Sequence, residues 1–143
     1  MLRNITLTKN HGLISLVTTT SWMFISSFEG VRKYVVNNLD FQSIVDFGTE
    51  LFEGKIGHLP IVAWSNIKGH FGRKFKAVRL EEYCYAKRDS KQEEFFNERN
   101  HYQVDEGWFE IIEGNPLCYW INDAQIRAFN TNSPLVSVSP PRT

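Results

Sequence analysis

The residues best suited to chemistry in this chain are four histidines, two cysteines, a glycine-bearing stretch at 48–57 and a basic, aromatic stretch at 68–76. His11, His58, His70 and His101 fall in separate turns, without the close spacing that lets imidazoles share a metal ion. They read as loop histidines in water. Cys84 and Cys118 stand far apart with no CxxC partner, so neither a zinc site nor a disulfide scaffold is expected, and a reducing cytoplasm is. No Ser, His and Asp set is recognisable as a triad. Gly48, Gly54 and Gly57 follow neither the GxGxxG nor the Walker pattern and do not lead from a strand directly into a helix, which argues against a phosphate loop. The residues therefore assign no catalytic group and no metal ligand.

Lys68, Arg73, Lys74 and Lys76, interleaved with Phe71 and Phe75, are the candidate nucleic-acid contacts. Cationic side chains neutralise phosphates, and aromatic faces stack on bases. The same residues also describe a solvated turn whose lysines protect a sheet edge, and the sequence leaves both readings open. Trp22, Trp64, Trp108 and Trp120 are expected to pack rather than to stack on a ligand. Sixteen basic residues against sixteen acidic ones give no net charge, which argues against a chain that grips DNA alone.

The elements that hold these groups follow from the apolar pattern. At 143 residues, 42% of them hydrophobic, the chain is one domain at most and has ample material for a core. No apolar run reaches the roughly 18–20 residues of a membrane span, and residues 1–10 lack the apolar stretch of a secretory signal. Residues 1–10 read as the end of a helix stopped at Asn10-His11-Gly12. Residues 13–20, almost wholly apolar or Thr, read as an inner strand covered on both faces. Ser21 is a plausible N-cap for a helix over 22–37, with Phe24, Phe28, Val31 and Val35 facing the sheet and Arg32 and Lys33 outside that stripe.

Residues 41–47 form the next strand, giving a strand–helix–strand unit of a parallel α/β sheet. Residues 61–67 and 76–80, joined by a Gly69-His70-Phe71-Gly72 turn, read as an antiparallel hairpin at the sheet edge. Beyond Leu80 the chain turns charged and helical over 81–99. It is expected to be extended over 102–109, looped over 111–116, and a short helix or strand and helix over 117–129. Residues 131–143 carry three of the five prolines and look like a linker or a cut.

The run Ser21-Trp22-Met23-Phe24-Ile25-Ser26-Ser27-Phe28-Glu29 is where a family enters. With the strand before it and Asp46-Phe47-Gly48 after it, the run resembles the PglX-type adenine-specific DNA methyltransferases of BREX phage-defence systems. Phe95-Phe96-Asn97-Glu98-Arg99 matches that family's charged helix. Gly114-Asn115-Pro116-Leu117-Cys118-Tyr119-Trp120 looks like its Gly-x-Pro-x-x-Tyr-Trp segment, which precedes target recognition. The resemblance covers nearly the whole chain.

It implies an α/β fold: a partial Rossmann-like methyltransferase sheet over 1–80, a mainly helical connector over 81–130, and a linker or the start of a truncated recognition domain over 131–143. Full-length relatives move a methyl group from S-adenosylmethionine to N6 of an adenine flipped out of the duplex. Their glycine-rich cofactor loop and their Asn-Pro-Pro-Tyr motif have no counterpart in this sequence. No cofactor is therefore expected for this chain alone. By resemblance, Phe52 matches an aromatic residue that stacks on the flipped base; a core plug beneath its loop is the other reading. The partners implied are DNA, through the full-length enzyme, and the remaining methyltransferase segments or other defence-system proteins, with no membrane. The alternative is a non-catalytic module that binds or modulates a methyltransferase.

Overall fold

The computed structural model describes residues 1–52, 59–69, 74–80 and 88–130. Five strands make one sheet among them: β1 (Leu13–Thr19), β2 (Leu39–Gly48), β3 (Ile61–Lys68), β4 (Lys74–Arg79) and β5 (His101–Asp105), in the order β1-β3-β2-β4-β5. The helices are α1 (Leu2–Leu7), α2 (Ser21–Phe24), α3 (Glu29–Asn38), α4 (Arg88–Phe95), α5 (Trp108–Ile111) and α6 (Asp123–Asn130). The α/β class is as expected; the strand pairing is not.

β1 and β2 run in the same direction, but β3 lies between them, antiparallel to both. β4 then pairs parallel to β2 on its other side, with Ser43 opposite Lys76 and Asp46 opposite Arg79. The expected hairpin of residues 61–67 with 76–80 therefore does not form, and the antiparallel neighbours are β2 and β3. A row of aromatic side chains explains the choice. Trp64 of β3 lies 5.2 Å from Trp22 and 6.3 Å from Phe41 of β2, and Phe41 stacks on Phe75 of β4 at 5.4 Å. Phe109 closes the row against Phe41 at 5.7 Å. With β2 between β3 and β4, Phe41 meets an aromatic ring from each neighbour and is 1% exposed. Each ring pair adds about 0.5–1.5 kcal/mol to the area it buries.

β1 is also not the doubly covered strand its composition suggests. Among the described residues it pairs with β3 alone, and Leu13 (65%) and Val17 (60%) stand exposed on its outer face. Its other face, through Ile14, meets the core. The turn into β1 demands its glycine. A Cβ on Gly12 would meet Thr8 Cγ2 at 2.6 Å and the Lys9 carbonyl oxygen at 2.8 Å, while His11 before it takes a left-handed φ of 61°.

The helix expected over 22–37 is broken. α2 stops at Phe24, Ile25 is extended (φ −69°, ψ 134°), a 3-10 turn spans Ser26–Phe28, and α3 begins at Glu29. Ser26 and Ser27 supply the weakness, because serines compete with helical backbone bonding. The break rotates the buried stripe. Trp22, Met23, Arg32, Val35 and Val36 face inward, whereas Phe24 and Phe28 are partly exposed. Arg32, expected on the solvent side, is one of the largest fully enclosed side chains.

The chain beyond residue 80, expected as a mainly helical connector, adds β5 to the sheet edge and places Phe109, Leu117 and Tyr119 in the same core. α5 replaces the end of the extended stretch expected over 102–109, and α6 lies within the expected 117–129 region. Residues 131–143 lie outside the described residues. No helix among the described residues is long and apolar enough to cross a membrane.

Candidate functional site

The carboxyl end of β2 brings two buried groups of opposite charge, Asp46 and Lys91, to its two flanks. The alternation that turns Ile44 into the core also turns Asp46 inward, leaving it 3% exposed. An unpaired carboxylate there would cost several kcal/mol, so it must be hydrogen-bonded. The Gly48 amide donates to Asp46 Oδ1 at 3.0 Å, which bends the strand end into a turn, with Gly48 at a left-handed φ of 62°. The Tyr119 hydroxyl donates to Asp46 Oδ2 at 2.8 Å. Beside this pair the Arg79 guanidinium lies 4.3 Å from the Trp120 ring centroid, and Trp120 meets Tyr119 edge-on at 5.0 Å.

The other flank of the same strand end is held by Lys91. Its buried ammonium donates to the Phe47 carbonyl at 2.8 Å and to the Thr49 carbonyl. The two carbonyls and the Glu50 turn (φ 61°) fix the start of the loop that leaves β2. Between this loop and α4 lies a cleft of about 240 Å³, lined by Phe47, Leu51, Leu80, Phe95 and Phe96 together with the polar Glu50, Lys91 and Gln92.

A second cluster ties the segment before Tyr119 to the helix break. Arg32 Nη1 donates to the Trp22 carbonyl (3.0 Å) and the Ile25 carbonyl (2.6 Å), and the Leu117 amide donates to the Met23 carbonyl at 3.1 Å. Burial lowers the Arg32 pKa from its ordinary value, with Glu29 opposing that shift. Burial likewise raises the Cys118 thiol, against the pull of Arg32 and Arg79.

The residues named from sequence are scattered by the fold. Phe52 follows the β2 turn and is 47% exposed. Lys68, at the end of β3, donates to the Ile5 (3.0 Å) and Thr8 (2.7 Å) carbonyls, closing the C-terminal end of α1. Lys74 is exposed and 4.0 Å from Asp105, and Lys76 is exposed opposite Gln103. Arg73 lies outside the described residues. Lys76 is level with Ser43, so it sits roughly 17 Å along β2 from Gly48, at about 3.3 Å per residue. Asp46 and Arg32 were missed; an Asp in phase with Ile44 on a strand, and an Arg beside a Ser-Ser break, were the available signals.

A methyltransferase cofactor would need a strand-to-helix turn open to its ligand. Of the strand-to-helix turns among the described residues, β1 to α2 carries no glycine and the first turn of α2 is filled by buried Trp22 and Met23, while β5 to α5 has Gly107 but opens only a four-residue helix. No group of three or more metal-ligating side chains occurs among the described residues.

The family described as Eco57I restriction-modification methylase matches residues 1–52. The adenine-specific methyltransferase BrxX of Escherichia coli O9:H4 (strain HS) is 29% identical over 127 residues, covering 86% of this chain and 10% of the relative. The adenine-specific methyltransferase PglX of Lacticaseibacillus casei (strain Zhang) is 26% identical over 138 residues, 89% of this chain and 11% of the relative. In fold, the chain is similar to one from a structure of complex assembly and conformational transition in a type I restriction–modification system. That match has a TM-score of 0.54 at 12% identity, covering 91% of this chain and 32% of the other. The chain thus spans about a tenth of the length of the curated relatives it matches. The resemblance to the PglX-type adenine-specific methyltransferases, first carried by residues 21–29 and 114–120, is borne out over most of the chain.

Proposed function

We propose that this chain is the part of an N6-adenine DNA methyltransferase that closes the Rossmann-like sheet and carries the β2 loop over the flipped base. Phe52 is the residue offered for stacking, and Lys74 and Lys76 are offered for a more distant phosphate contact. One observation carries the reading beyond the sequence likeness. β1 has the composition of an inner strand, yet it stands at the sheet edge with Leu13 and Val17 exposed. That mismatch supports a sheet continuing past β1 in the working enzyme, where the cofactor loop and the Asn-Pro-Pro-Tyr motif would lie. The chain alone is then inactive, and in a cell it serves phage defence only through the whole enzyme.

The test is complementation. The chain is mixed with a companion polypeptide carrying a glycine-rich loop and Asn-Pro-Pro-Tyr, and N6-methyladenine is measured on DNA supplied with S-adenosylmethionine. Activity in the mixture and in neither part supports the reading. Saturable heat with S-adenosylmethionine and the chain alone would overturn it. Binding to an already complete methyltransferase, without restored activity, would favour the second reading, a modulator that uses the open β1 edge to dock.

A further inference from the structure

We propose that Tyr119 and Lys91 are positioning residues that set residues 48–52 after β2, so that the chain beyond residue 80 controls how those residues are presented. Only the identity of what they present rests on the methyltransferase reading; the mechanical coupling does not.

The loop stem is held from both flanks by groups distant in sequence. On one flank the Tyr119 hydroxyl donates to Asp46 Oδ2 (2.8 Å), while Oδ1 of the same carboxylate accepts from the Gly48 amide (3.0 Å). Tyr119 thereby fixes the carboxylate plane that bends the backbone at Gly48. On the other flank Lys91 donates to the carbonyls of Phe47 and Thr49, the residues on either side of that bend. Neither support comes from the loop's own neighbours in sequence: Tyr119 and Lys91 lie 73 and 44 residues from their partners Asp46 and Phe47.

Tyr119 cannot move by itself. Its ring is fully buried and packs edge-on against Tyr102 and Trp120, and Trp120 in turn carries the Arg79 guanidinium and touches Phe24 at 5.4 Å. Five residues earlier, Gly114 is gripped by Arg32. A pull on residues 114–120 is therefore passed to Asp46, then to Gly48 and to residues 49–52. Polar networks of this kind have two arrangements, bonded or broken, and so transmit a displacement stepwise.

The test is amide hydrogen exchange on the full chain, read residue by residue. Tyr119→Phe removes one hydroxyl and keeps the buried ring. Exchange at Gly48 and at 49–52 is expected to quicken by about tenfold, while Ile14, Val62 and Trp64 in the central sheet keep their rates. Unchanged exchange at Gly48 would overturn the proposal. A uniform acceleration across the sheet would overturn it too, because it would make Tyr119 a packing residue only. Should Tyr119→Phe not fold, Lys91→Met carries the same readout at 49–52, with the same two outcomes against it. Failure of complementation, with local acceleration intact, would sink the methyltransferase reading and leave the coupling standing.

Discussion

The Arg32 side chain meets the carbonyl oxygen of Gly114 twice, through Nε at 2.9 Å and Nη2 at 2.8 Å. It thus joins the broken helix after β1 to a segment 82 residues later. Arg32→Met keeps much of the stem's volume and removes every donor. Three carbonyls, of Trp22, Ile25 and Gly114, then lose a charged partner. The expected loss is about 3 kcal/mol, read as a lower urea midpoint at unchanged slope. A loss below about 0.5 kcal/mol would mean that water replaces the guanidinium freely.

Stability should fall as pH rises toward 8. Glu106, 3% exposed, is pushed up to about 8, first by burial and then by the Asp40 and Asp105 carboxylates, against the Phe41 amide that its Oε1 accepts. The folded state therefore keeps a proton that the unfolded chain releases near pH 4.5. This contribution is complete below that value and is lost as pH climbs through about 8, at no more than about 1.4 kcal/mol per pH unit. Glu106→Gln should flatten the profile over that window in thermal melts. An unchanged slope would locate the titration elsewhere.

Lys68 and the β4 lysines should separate cleanly. Lys68→Met removes the ammonium that closes α1 and should cost about 1–2 kcal/mol, with faster exchange at Thr8. Its effect on low-salt DNA retention should be small, since that charge is engaged with α1. Lys74→Ala and Lys76→Ala should do the reverse, leaving stability unchanged and weakening any retention. Equal loss of retention from all three would favour the nucleic-acid reading of residues 68–76 over the solvated turn.

Phe52→Ala distinguishes a stacking residue from a core plug by stability alone. A half-exposed ring should cost within about 0.5 kcal/mol, whereas a plug would cost about 3 kcal/mol or more. Only the first outcome leaves Phe52 available to a base.

What the sequence made legible was local. The strands at 13–19, 39–48 and 61–68, the stop at Asn10-His11-Gly12 and the helix at 29–38 follow from β-branched runs, a glycine that no Cβ could replace, and periodicity. Strand pairing was not legible, because Gly69-His70-Phe71-Gly72 has the composition of a hairpin turn whether or not the flanking strands pair. The aromatic row through Phe41 decides that question, and no local pattern encodes it. Arg32 misled for a related reason. It lies four residues after Phe28 and three before Val35, so it borders the buried face of α3. The carbonyls that hold it come from Trp22, Ile25 and Gly114, which periodicity does not show. The candidate residues were named from type alone, and no local pattern encodes the engagement of Lys68 with the end of α1.

The strand order also constrains assembly on the ribosome. β3 is the sole neighbour of β1 and one of the two neighbours of β2 among the described residues, yet it emerges after both. The edge of β1 that β3 covers must therefore wait unpaired while some forty further residues are made, about two to eight seconds at typical synthesis rates. The Leu13–Thr19 segment is then a docking target for trigger-type holdases, or a seed for aggregation if none arrives. Stalled-chain crosslinking would read this directly. Contact between β1 and a holdase should persist until residue 68 clears the exit tunnel and vanish thereafter, and its loss before β3 appears would show that β1 needs no such protection.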